Sequence, residues 1–136
     1  MTLDDALARH PGAATDRPGD SAALNAEILA LMRAGRKTAT CAALAEFSKA
    51  EPAPEVGRTD IALDWQGRPA LATRTTAVER LRYADMDAAR VPPQREFADL
   101  QDWQRGYARY FARMGAFDPG VEMICERFEM VEDFGG

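Results

Sequence analysis

An α+β fold built on a small, mostly antiparallel sheet is the class this sequence predicts, on three observations. Two segments carry apolar residues at helical spacing, one stretch alternates in the manner of a hairpin, and strands and helices nowhere alternate as a parallel βαβ sheet requires. One domain is expected, because 136 residues suffice to bury a core without metal or disulfide support.

The elements follow in chain order. Residues 1–19 are dense in Pro, Gly and small side chains around HPGAATDRPGD and read as a loosely docked leader, with one short helical turn at Leu3–Arg9. The domain proper is expected over 20–136. Asp20 or Ser21 can cap a helix whose apolar stripe is Leu24, Ile28, Leu31 and Met32, with Arg33 in the last turn and Gly35 as its left-handed terminator. CAALAEFSKA reads as a short helix and Pro52–Gly57 as a loop. Thr59–Trp65 and Ala70–Val78 read as two strands joined by the turn Gln66–Pro69. Tyr83–Arg90 reads as a short helix broken by Pro92 and Pro93. Leu100, Trp103, Tyr107, Tyr110, Phe111 and Met114 mark one face of a helix capped by Asp99, a core stripe rather than a base-stacking platform. Gly106 within it costs about 1 kcal/mol against Ala, which suggests a close contact there. Val121–Val131 is a strand whose apolar residues change parity, the mark of a bulge or of burial on both faces.

Composition excludes several classes. With 46% hydrophobic and 29% charged residues, the chain is not a disordered one. No apolar run reaches membrane-spanning length, so no membrane partner is expected. Cys41 and Cys125 are read as single thiols far apart, and His10 is the lone histidine. That pattern leaves no recognisable metal site, implies no cofactor, and fits a reducing cytoplasmic compartment. The net charge of −5 argues against strong nonspecific nucleic-acid binding. Its distribution is uneven. Residues 33–82 hold nine Lys or Arg against six acids, a net of +3, between two acidic flanks. Such a block suits a small anionic ligand, unless it scatters over the folded surface.

The basic block opens with Gly35-Arg36-Lys37-Thr38-Ala39-Thr40, which resembles the G-x-K-x-x-T signature of the ASCH domain family. Further landmarks follow in the family's order: PGDS at 18–21, VG at 56–57, LDWQGRPA at 63–70, TTAVE at 75–79, Trp103 on its aromatic helix, and CERFEMV at 125–131. Two positions depart from it. Arg58 follows the VG pair where relatives commonly carry Asp, and Tyr107 stands where a histidine is frequent. The resemblance implies a PUA-like fold, a small mostly antiparallel β-barrel flanked by helices, with a cleft at the lysine motif. It also implies a partner: RNA, or a modified nucleoside or nucleotide. Some members are amidohydrolases of N4-acetylcytidine-like nucleosides, and ribonuclease activity is associated with others. By resemblance, a catalytic set would be Lys37, Thr40 and Glu96. Ligand-binding candidates are Arg36, Lys37, Thr38, Thr40, Arg74 and Glu79, the last two having a solvated, ion-paired strand face as their alternative reading. Whether the protein is an enzyme, and its oligomeric state, stay open at this level.

Geometry sharpens the expectation. In a strand, Lys37 would share a face with Ala39 and Cys41, and Thr40 would point away. A joint role therefore calls for a helical bend over 37–40, running into CAALAEF. Thr40 as nucleophile needs a base. Lys37 could supply it, or it could stabilise an oxyanion as an ammonium while Glu96 handles the proton. The plain alternative has Thr40 capping the helix after it, with Arg36 and Lys37 in solvent.

Overall fold

The computed structural model describes residues 1–115 and 118–135, the side chain of Met114 excepted. Eight regular elements are α1 (Leu3–Arg9), β1 (Ala14–Asp16), α2 (Ala22–Arg33), β2 (Ala39–Ala43), β3 (Thr59–Leu63), β4 (Pro69–Arg82), α3 (Leu100–Met114) and β5 (Glu122–Asp133). The five strands form one curled, mixed half-barrel in the order β1-β3-β4-β5-β2. Only the β1–β3 pair is parallel.

The first residues do more than the leader reading suggests. Thr2 and Asp5 close a reciprocal cap on α1, Ala6 is fully buried, and the side chains of Arg9 and His10 both reach Glu132 of β5. Residues 14–16 then add an edge strand beside β3. Composition missed this because a three-residue strand is defined by its neighbour, not by a pattern of its own.

Ser21, rather than Asp20, caps α2 by accepting the Leu24 N–H at 3.1 Å. The helix turns Asn25, Ile28 and Leu29 inward and leaves Leu24 exposed. Its buried face is thus rotated from the expected stripe, because Asn25 donates to the carbonyls of Pro18 and Leu63 at 2.8 and 3.1 Å. A buried amide so satisfied can replace an apolar residue. Gly35 ends the helix at φ 71°, while the N–H groups of Arg36 and Lys37 both return to Leu31 O.

Residues 39–43 are a strand, which corrects the short helix read for CAALAEF. β2 pairs with β5 from Ala39↔Arg127 to Ala43↔Met123, and only Leu44–Glu46 makes a helical turn. Helix propensity here yields to a partner strand 84 residues away. The same register puts Cys41 opposite Cys125, Cα atoms 4.2 Å apart and joined as a disulfide. Single thiols were expected because sequence distance says nothing about cross-strand neighbours. Tyr83–Arg90 corrects likewise, to two 3₁₀ turns at Tyr83–Asp85 and Ala88–Arg90.

The hairpin stands as read, with Asp64 Oδ1 accepting the N–H groups of Gln66 and Arg68 across the turn. The mixed parity of β5 reflects burial on both faces, Met123 packing with Trp103 and Phe111 of α3 while Ile124 and Phe128 face the opposite side. Bulges lie at Thr76 of β4 and Val131 of β5, which are passed over in the pairing. Helix α3 lays Trp103 and Phe111 onto Cys41, Ala43, Tyr83 and Met123. Tyr83 stacks on Trp103 at 5.4 Å between ring centroids, and Tyr107 lies 4.7 Å from Trp103. Gly106 is explained by Phe97, whose ring would lie 2.4 Å from a Cβ at that position. Gly106→Ala should therefore push Phe97, and Glu96 before it, out of place. A small change in thermal midpoint with a clear loss of ligand affinity is the expected pair of readings. Unchanged affinity would contradict that coupling.

Candidate ligand site

Inside the curl lies a cavity of about 920 Å³, walled by α2, the segment 12–19, the loop 47–58 and strands β2, β3 and β5. Lys37, Thr40 and Glu96 all line it. The helical bend expected to unite Lys37 with Thr40 is absent. Residues 36–38 lie outside any regular element, so strand alternation begins only at Ala39 and does not bind Lys37 to the face of Ala39 and Cys41. Backbone bonds hold this irregular piece in place. Thr38 N–H donates to Pro93 O at 2.8 Å, and Thr38 O accepts from Phe128 N–H at 3.0 Å.

Lys37 is 5% exposed, and its Nζ donates to Gln94 O at 2.8 Å, Glu96 Oε1 at 2.9 Å and Ala39 O at 3.1 Å. Three acceptors match the three N–H donors of an ammonium. A Lys37 acting as base, or as a donor to an oxyanion, would have to give up one of these bonds. Glu96 differs. Its side chain is 31% exposed and lines the cavity, so it is the more open member of the pair. Arg95, at φ 56°, turns the chain so that Gln94 O and Glu96 both face Lys37. A non-glycine residue in this region costs on the order of 1 kcal/mol, and Arg95 Nε offsets part of that by donating to Arg36 O at 3.2 Å. Gln94, absent from the sequence reading, is fully buried. Its amide donates to Arg90 O at 2.8 Å and accepts from Trp103 Nε1 at 3.2 Å, tying the site to the aromatic core.

Thr40 is half-buried on β2, and among the described residues no hydrogen bond joins it to Lys37 or Glu96. Its cross-strand partner is Glu126. Glu126, Asp16, Asp60 and Arg58 also line the cavity; of these the sequence drew attention only to Arg58, as a departure from the family pattern. Only strand pairing signals the carboxylates: Asp60 sits opposite Ala14 and Thr73, and Glu126 opposite Thr40 and Val78. Arg58 pairs with Asp60 at 3.1 Å, and Thr75 Oγ1 donates to Glu126 at 2.9 Å. Burial raises Glu126, with Asp60 adding and Thr75, Arg58 and Lys37 opposing. Burial, then the charges of Asp60 and Glu126, push Asp16 from 3.8 up to about 6 against the pull of Arg58. Asp16 keeps exposed surface at the rim, so screening keeps the energetic consequence small.

The sign of the pH effect follows. A carboxyl raised on folding contributes stability fully present below its unfolded value and lost as pH rises through its folded one. For Asp16 that window runs from 3.8 to about 6. Across it, unfolding free energy of the wild type should fall relative to Asp16→Asn, measured by urea denaturation at several pH values. Parallel curves would contradict the mutual repulsion of these clustered carboxyls.

The other candidates lie elsewhere. Arg36 and Arg74 are exposed and line neither this cavity nor the smaller one below, and Thr38 serves through its backbone. Glu79 lines that smaller cavity and is paired with Arg90. The basic block is largely paired off, Arg33 with Asp133, Arg68 with Asp64, Arg80 with Glu122 and Arg82 with Asp85, so it presents no concentrated positive face. Among the described residues, no group of three or more His, Cys, Asp or Glu is placed to hold a metal ion. None of their helices is long and apolar enough to cross a membrane.

A half-barrel with helices and an internal cleft at a buried lysine defines an α+β domain of a recognisable kind. The profile of the ASCH domain matches residues 15–132, and the chain belongs to that family. An ASCH domain from Lactobacillus crispatus superposes with a TM-score of 0.80 at 19% identity, over 97% of this chain and 87% of that one. A protein from Enterococcus faecalis superposes with a TM-score of 0.79 at 28% identity, over 96% and 85%. No curated protein matches the sequence.

Proposed function

We propose that this ASCH domain binds a nucleoside-type small molecule in the large cavity, with Glu96 as the ligand-facing carboxylate and Lys37 holding it in position. The observation that carries the reading is the convergence of Lys37, Thr40 and Glu96 on one concave space. Its size lies within the range of small-molecule sites. Phe47 and Phe128 add aromatic surface to its lining, suited to the face of a base.

Charge favours a nucleoside over an RNA strand. The lining carries Lys37 and Arg58 against Asp16, Glu51, Asp60, Glu96 and Glu126. An acidic wall repels phosphates and accepts hydrogen bonds from amino and hydroxyl groups. A second reading, hydrolysis of an acylated pyrimidine nucleoside, rests on the presence of Thr40 in the same lining. It requires Thr40 to gain a base on ligand binding, with Glu96 the more open carboxylate of the family set and Glu126 its cross-strand neighbour.

Calorimetric titration with cytidine, N4-acetylcytidine and a short single-stranded RNA, at low and high salt, tests the choice. Nucleoside binding that hardly responds to salt is expected, whereas RNA held through several phosphates would weaken steeply. RNA binding that is tighter and strongly salt-dependent would overturn the reading, as would no nucleoside binding at all. Release of acetate from N4-acetylcytidine by the wild type, lost in Thr40→Val, would move the assignment to the hydrolase.

A further inference from the structure

We propose that Cys41 and Cys125 are a reversible redox site, opened by small thiols that enter through a second cavity on the other face of β2. This cavity of about 160 Å³ is lined by both cysteines together with Glu79, Arg90, Gln94 and Arg127. It is large enough for the sulfur-bearing arm of a small thiol, and it is not the cavity that holds Thr40 and Glu96.

Three observations support exchange in the folded state. The cysteines are directly opposite in the β2–β5 register, with Cα atoms 4.2 Å apart, so the bond can break and re-form without moving the strands far. Their access is unequal. Both cysteines line this cavity, and Cys41 also touches the larger one, but Cys41 is only 8% exposed, with the Tyr107 hydroxyl of α3 donating to its carbonyl at 2.8 Å, whereas Cys125 is half-buried. Third, β2 is an edge strand whose one neighbour in the sheet is β5. The disulfide is therefore the only covalent tie, beyond the chain itself, on a five-residue strand.

The step balances as ordinary exchange. A thiolate attacks Sγ of Cys125, a mixed disulfide forms there, and Cys41 leaves as a thiolate that takes a proton from solvent. A second small thiol attacks the mixed disulfide, forming the small-molecule disulfide and freeing Cys125. Two small thiols are oxidised and one protein disulfide is reduced. The adjacent β2–β5 pair is Thr40↔Glu126, so the consequence is looser pairing of the strand that carries Thr40.

The test reads thiols and backbone amides rather than ligand binding, so its outcome is separate from that of the nucleoside reading. Folded protein is incubated with reduced glutathione, quenched in acid, alkylated and weighed intact. Two thiols should appear at a rate proportional to glutathione concentration, and glutathione disulfide should reverse the change. With glutathione disulfide, Cys41→Ser should form a mixed disulfide on Cys125, releasing one reduced glutathione, several-fold faster than Cys125→Ser forms one on Cys41. Amide exchange over residues 39–43 should be several-fold faster in the reduced wild type. A disulfide that never opens under native conditions, or opens at a rate independent of thiol concentration, overturns the proposal. So does a faster adduct on Cys41, or amide exchange unchanged by reduction. If either variant fails to fold, the wild-type rate law decides.

Discussion

Lys37→Ala is expected to destabilise the protein by about 2–4 kcal/mol and to abolish nucleoside binding. The change removes the donor to Gln94 O and Ala39 O, and it strips Glu96 of its cation. Buried acceptors left without a donor cost about 1–3 kcal/mol each. The partial exposure of Glu96 places the total below that of a fully enclosed ion pair. Lys37→Met separates the causes, since it keeps an unbranched apolar stem of similar reach and loses only the ammonium. It should retain most of the stability loss. Lys37→Arg should not rescue, because a planar fork cannot direct its donors to three acceptors gathered around one nitrogen. Urea midpoints give the first quantity and calorimetric titration the second. A loss below about 0.5 kcal/mol for Lys37→Ala would be that of an ordinary surface change, and would contradict the buried network.

Trp103→Ala should carry the largest stability effect in the chain, about 3–5 kcal/mol. The side chain is fully buried between Tyr83 and Tyr107, and its Nε1 is bonded to Gln94. The same substitution reaches the cavity. Gln94 loses one of the two partners that fix its side-chain amide, and its backbone carbonyl is one of the three acceptors of Lys37. Trp103→Phe keeps most of the packing and loses the hydrogen bond, so it should cost less stability than the alanine change while still lowering affinity. Equal stability losses for both variants would show that the bond to Gln94, rather than the ring's volume, dominates.

Much of the frame was legible in the sequence because it depends on near neighbours along the chain. The stripe from Leu100 to Phe111 and the Asp99 cap are spacing and first-turn chemistry, and α3 begins where they put it. The turn at Gln66–Pro69 is read from Gly67 and Pro69, and the structure adds Asp64 as the acceptor that closes it. What failed did so for a reason of the same kind. CAALAEF has ordinary helix propensity, yet it is drawn into β2 because β5 offers it a ladder and a disulfide partner. In α2 the periodicity was right but the inward face was not, since Asn25 is buried by virtue of two carbonyls that belong to other segments.

The site divides along the same line. Lys37, Thr40 and Glu96 were reached through a family resemblance, and the structure adds how they are arranged: a saturated lysine, an exposed carboxylate, and a threonine apart from both. By itself the sequence determined the places of α1, α2 and α3, the hairpin and the resemblance of the lysine motif to a known pattern, all of which are read from residues a few positions apart. Only the tertiary structure decided that Asp16, Asp60 and Glu126 close the cavity, that Gln94 braces Lys37, and that Cys41 meets Cys125. Those neighbours are set by strand register and by the bulges at Thr76 and Val131, and register comes from packing the whole sheet at once rather than from any local pattern.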